Sequence, residues 1–157
     1  MVSHNAEDEF IEIFGSFLDT HNMFPSIAGK IYGYLLVCDP PHQSTDELMG
    51  RLRITKSSVF SMLRLLLKLK LVEVMSVPGE RSLYYKAKER GWENIFLENL
   101  QALSAGRILL EEGLLLLEHR DAKLQKRIQE LYELYAFFEK EMPPLIERWK
   151  MSRMPVE

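Results

Sequence analysis

Cysteine is almost missing: Cys38 stands alone among 157 residues. That excludes a disulfide framework and a Cys-rich zinc site. Long apolar runs are missing too. The two richest stretches, Leu63 to Val72 and Ile108 to Leu117, are each cut by charges. Neither reaches the roughly 20 apolar residues that cross a bilayer. Met1 to Glu9 contain no basic segment and no apolar one, so a secretion signal is not expected. There is no glycine-rich phosphate loop, and no nucleophile, histidine and acid stand in an order that argues for catalysis. His4, His21 and His119 lack ligand spacing. Asp39-Pro40-Pro41-His42 brings an Asp near a His, but a metal site needs a third ligand, and two prolines make the segment a stiff turn. The expectation is a soluble, cytoplasmic protein that is not an enzyme and uses no metal or cofactor. It has one domain, or one domain with an arm.

Apolar residues make up 46% of the chain and charged residues 27%, as in an ordinary globular protein. The net charge of −3 hides an asymmetry. Ser44 to Arg90 holds ten Lys and Arg against five Asp and Glu. A basic middle inside an acidic chain points to a polyanion surface, nucleic acid first. The other reading is a solvated face with scattered charge.

Helical periodicity opens the chain. Phe10, Ile13, Phe14, Phe17 and Leu18 recur at helical spacing and predict a helix over residues 7–21. Phe24-Pro25 breaks it, and a second helix follows to about Cys38. Its Gly29 and Gly33 leave a strip of small residues where another helix can approach. Ser44-Thr45-Asp46-Glu47 fits a capping box and opens a short third helix. Thr55 is the N-cap of a fourth helix that runs to about Lys70. In this fourth helix Val59, Met62, Leu63, Leu66 and Leu69 share one face, while Ser57, Ser61, Arg64 and Lys68 share the other. Short capped helix, tight turn and basic-faced helix make a helix-turn-helix. Leu71 to Val77 and Ser82 to Ala87 read as strands joined by a turn at Pro78–Arg81, which adds a wing. Lys56, Ser57, Ser61, Arg64 and Lys68 are then candidates for the major groove, with Arg81 at the wing tip near a phosphate or a minor groove. Arg51, Arg53, Lys86 and Lys88 are further candidates for phosphate contact.

From Glu89 on, the pattern is helical with a break at Glu118–Asp121. Phe96, Leu100, Leu103, Leu110, Leu114 and Leu117 make one seam, and Leu124, Ile128, Leu131, Tyr135, Phe138 and Met142 a second. Pro143-Pro144 is expected to end the second arm, leaving a short tail at Leu145–Trp149. Such seams expose more apolar surface than a small winged helix can cover, so a homodimer is expected, and twofold symmetry suits a palindromic site. The fold expected is mostly α (α+β by content): a winged helix-turn-helix with long N- and C-terminal dimerisation helices. Residues 1–24 form the N-terminal helix of the dimer interface, 25–90 the DNA-binding domain and 91–157 the C-terminal dimerisation region.

The combination of Gly29-Lys30-Ile31-Tyr32-Gly33-Tyr34-Leu35-Leu36 with Asp39-Pro40-Pro41-His42-Gln43-Ser44-Thr45-Asp46-Glu47-Leu48 resembles the GbsR-type branch of the MarR superfamily. Lys56-Ser57-Ser58-Val59, Arg64-Leu65-Leu66, Leu71-Val72-Glu73 and Val77-Pro78-Gly79-Glu80-Arg81 continue the match over residues 24–92. One departure is Ser58, where that branch often has glycine. The resemblance implies a dimeric transcriptional regulator, a repressor on double-stranded operator DNA, with a small choline-like effector. Tyr32, Tyr34, Trp92 and Phe96 are the candidates to hold such a cation through their ring faces; packing in the core and dimer is the alternative for the same residues. A winged-helix protein-interaction module that reads no DNA is the rival function.

Overall fold

The structure is a computed structural model that describes residues 4–153. Its elements are α1 (His4–Thr20), α2 (Ser26–Val37), β1 (Gln43–Ser44), α3 (Thr45–Leu52), α4 (Lys56–Lys68), β2 (Val72–Ser76), β3 (Leu83–Ala87), α5 (Gly91–Leu116) and α6 (Ala122–Ser152). They fall into two compact units that meet in the chain after Asn94. The first unit holds α1 together with the helix-turn-helix and wing.

Glycine sets the α1–α2 contact. A Cβ on Gly29 would lie 2.8 Å from Gly15 Cα, and one on Gly33 would lie 2.9 Å from Phe14 Cδ1. The two helix backbones therefore cross where only hydrogens stand between them. The apolar positions of α1 divide into two faces. Ile11 and Leu18 are buried, whereas Phe10, Ile13 and Phe17 stay exposed.

The capping box of α3 is formed: Glu47 N donates to Ser44 Oγ at 3.2 Å and Ser44 N donates to Glu47 Oε2 at 2.6 Å. Arg53 ends α3 in the left-handed region at φ 54°. Thr55 Oγ1 then caps α4 by accepting from Ser58 N at 3.3 Å. The far end of α4 is closed by Leu71 N donating to Leu66 O and Lys70 N to Leu67 O, both 3.0 Å, with Lys70 at φ 57°. This paired cap satisfies carbonyls that a helix end leaves open.

Val59, Leu63 and Leu66 of α4 pack inward with Ile31, Tyr32 and Leu35 of α2, Leu48 of α3, and Leu71 and Val72. Each such side chain contributes about 1.5–3 kcal/mol on burial, which fixes the rotation of α4 and so decides which residues face out. The sheet is antiparallel with order β1-β3-β2. The register pairs Glu73 with Lys86 and Val74 with Tyr85, and Gln43 and Ser44 add a short third strand along Tyr85 and Tyr84. That edge strand was not expected from the sequence. The wing turn uses Gly79 at φ 88°, a conformation that suits glycine.

The second unit, from Ile95, is a helical hairpin. Gln125 Nε2 bridges the turn, donating to the carbonyls of Leu117 at 2.7 Å and Arg120 at 3.1 Å. Asp121 caps α6 by accepting from Lys123 N at 2.9 Å. The Tyr135 ring lies on Gly106, and Ile128 Cδ1 sits 3.1 Å from where a Cβ on Gly113 would be. Arg107 Nε pairs with Glu139 between the helices. The Ser104 hydroxyl, first, and the Arg107 guanidinium hold the Glu139 carboxyl below the usual carboxylate range, against the opposing effect of burial. The expected stop at Pro143-Pro144 is corrected: α6 runs through both prolines to Ser152. Each proline removes a donor to the carbonyl four residues back. Both prolines are exposed, so the carbonyls of Glu139 and Lys140 can take water instead. Among the described residues no helix is long and apolar enough to cross a membrane.

Candidate nucleic-acid interface

The packing of Val59, Leu63 and Leu66 turns Lys56, Ser57, Ser61, Arg64 and Lys68 outward, and all five are exposed. They lie on one face of α4 in a row about three turns long. Thr55 Oγ1 also contacts Ser57 Oγ at 3.2 Å and Ser58 Oγ at 2.9 Å. This cap holds the first turn in place, and the positive end of the helix dipole adds to the charge of Lys56 there. Arg53 is exposed in the turn before α4, and Arg81 is exposed beyond Gly79 at the wing tip.

The basic residues of this region divide by partner. Among the described residues, no carboxylate forms an ion pair with Arg53, Lys56, Arg64, Lys68 or Arg81. Others are engaged. Arg51 pairs with Asp8 and, at 3.1 Å, with Glu7, and its guanidinium lies 5.2 Å from the Tyr34 ring centre. Burial would lower its pKa, but the hydrogen bonds to Asp8 and Glu7 outweigh that and raise it above the ordinary value. Arg51 therefore ties α3 to α1, and two carboxylates already meet its charge. Lys86 pairs with Glu73 at 3.0 Å and Arg90 with Glu93 at 3.1 Å.

One residue of the outward face was missed by the sequence reading. Phe60 is 43% exposed, and Lys56 Nζ lies 5.9 Å from its ring centre. The signal was present: Phe60 stands four residues after Lys56 and four before Arg64, the spacing of one helix row.

Of the aromatic candidates, the structure brings Tyr32 and Trp92 together. Tyr32 is buried, its ring edge-on to Trp92 at 5.9 Å and 6.3 Å from Phe14. Trp92 also meets Phe24 at 6.4 Å. Tyr34 donates from its hydroxyl to Gln43 Oε1 at 3.4 Å. Burial pushes the pKa of both tyrosines up. Phe96 is exposed and belongs to the second unit. Cys38 is buried, its thiol 3.8 Å from Leu35 O, and burial raises its pKa. It is therefore held as a thiol, the unreactive form.

Comparison with known proteins adds three findings. Residues 90–152 match the model of the MmpR5-like MarR family transcriptional regulators. The chain is 26% identical over 141 residues to the HTH-type transcriptional regulator MmpR5 of Mycobacterium tuberculosis, covering 90% of this chain and 85% of that protein. A crystal structure described as a transcriptional regulator superposes with a TM-score of 0.75 at 25% identity, over 93% of this chain and 99% of the other.

Proposed function

We propose that this chain is a MarR-family winged-helix transcriptional regulator that binds operator DNA as a homodimer and represses transcription until a small effector releases it. The observation that carries the DNA reading is the division of charge. Among the described residues no carboxylate pairs with Lys56, Arg64, Lys68, Arg53 or Arg81 on the outward side of α4, its preceding turn and the wing, while Arg51 and Lys86 are held by carboxylates. Unpaired cations on a groove-sized helix suit a polyanion. Serines and Arg64 among them can address base edges, with Arg taking guanine bidentately. Arg53 and Arg81 stand on either side of that helix in sequence, where phosphate contacts fix register. In a twofold dimer the two α4 helices enter successive major grooves about 34 Å apart.

The finer placement in the GbsR-type branch rests on the run of motifs between residues 24 and 92, and a choline-like effector goes with it. Since Tyr32 is covered by Trp92 and Phe14, a cation seated on its ring requires Trp92 to move first. Operator-bound regulators of this kind work in the cytoplasm.

The test is in vitro selection of duplexes from a random pool, followed by a salt titration of the selected site. A recovered palindrome, with affinity falling steeply as salt rises, is the expected result. Repeating the titration in millimolar choline reads the effector: weaker DNA binding supports it, and unchanged binding removes it. No enriched sequence and a flat salt response would leave the protein-interaction module as the better reading.

A further inference from the structure

We infer that Phe60 is a specificity-determining residue that reads the 5-methyl group of a thymine in each operator half-site. The inference rests on the DNA-binding reading of α4. Phe60 is 43% exposed on a face whose other members are Lys56, Ser57, Ser61, Arg64 and Lys68. The buried residues of α4 are Val59, Leu63 and Leu66, and the Phe60 ring keeps a large part of its surface outside the core they fill. It leaves apolar area in water that only an apolar partner can remove.

The surroundings of the ring say what that partner is. Lys56 Nζ lies 5.9 Å from the ring centre, and Arg64 follows one helical turn later in the same row. An uncharged protein surface would have to desolvate these cations without pairing them. DNA supplies both needs at once: phosphates for the flanking cations, and one apolar group on the major-groove floor, the thymine methyl. A phenyl ring offers no hydrogen bond, so among the four bases it discriminates through that methyl. Lys56 and Arg64 set the register; Phe60 selects within it.

The experiment compares the full-length wild type, Phe60→Ala and Phe60→Leu. Each is first checked for wild-type helicity, which an exposed position should preserve. Duplexes selected from a random pool by the wild type should contain a thymine in each half-site at which Phe60→Ala shows no preference. Replacing that thymine by uracil deletes only the methyl. It should weaken wild-type binding about fourfold per half-site, the equivalent of one buried methyl. Phe60→Ala should bind thymine and uracil duplexes alike, and Phe60→Leu, which keeps an apolar contact, should retain part of the discrimination. Wild-type protein indifferent to uracil at every thymine of its site overturns the inference and leaves operator binding standing. So does a Phe60→Ala protein that discriminates as well as wild type. Failure of the wild type to select any sequence strikes the operator-binding reading itself, and the role of Phe60 with it.

Discussion

Arg51 and Arg64 carry the same charge in neighbouring helices, yet their surroundings give them different work. Arg51 meets Glu7, Asp8 and the face of Tyr34, and its side chain is 18% exposed. Arg64 has no such partner among the described residues and points to solvent from the middle of α4. Removing Arg64 should therefore leave stability within about 0.5 kcal/mol, as for an ordinary surface site, while operator binding weakens by about 1–3 kcal/mol for a lost base contact. Arg51→Ala should do the reverse. It should lower thermal stability by about 0.5–2 kcal/mol, from lost ion pairs and ring contact, and leave the salt slope of DNA binding unchanged. Thermal denaturation and fluorescence anisotropy on the two variants check this together. If Arg64→Ala melts early and binds normally, α4 is not the reading helix.

At the scale of elements, close packing and open space give opposite results for the same substitution. Alanine at Gly50, where a Cβ would meet nothing within 4 Å, should stabilise α3 by roughly 0.5–1 kcal/mol through helix propensity. Alanine at Gly29 gains the same propensity but drives its methyl against the Gly15 backbone at 2.8 Å. Overpacking costs about 1–3 kcal/mol, so the net effect should be destabilising, and paired melting curves decide it. These contacts also show what the sequence made legible. The capping box, the Thr55 cap, the wing hairpin and the inward stripe of α4 rest on local chemistry, and each lies within two residues of its expected position. β1 did not, because two residues carry no periodicity and are strand only through their pairing with Tyr84 and Tyr85. The α1 stripe showed helical spacing but not which of its apolar residues would meet α2, since that depends on where the glycines let the helices touch. Pro143 and Pro144 read as a stop because local rules cannot see that both lie exposed within an otherwise continuous helix. Phe60 escaped because its angular position falls between the apolar stripe at Leu63 and the charged stripe at Arg64, so the helical period assigns it to neither face.

At the scale of the whole molecule, the two units solve the problem of apolar burial differently. The first has a core of its own. In the second, among the described residues from Ile95 to Arg153, not one is buried. Leu109 is 68% exposed, Leu116 81% and Leu131 44%. A helical hairpin rich in leucine without an interior is stable only if another surface completes it. A second copy of the same chain would satisfy that need and supply the twofold symmetry that a palindromic operator requires. The wild type should therefore sediment as a dimer at micromolar concentration, with a melting temperature that rises with protein concentration. Leu109→Asp places a carboxylate on surface that is largely open in the single chain, and Leu131→Asp one on surface that is half-covered. If the protein were a monomer, the change at Leu109 would alter stability by no more than about 0.5 kcal/mol, and neither change would alter sedimentation. In a dimer the carboxylate loses its water without gaining a partner, a cost of several kcal/mol, so the variants should sediment as monomers and lose the concentration dependence of melting. Their α4 faces would be intact, so binding to one half-site would persist weakly while the full palindrome would no longer bind more tightly than half of it. A wild type that sediments as a monomer, or an aspartate at Leu131 and Leu109 that leaves sedimentation unchanged, would refute the assembly proposed for these helices.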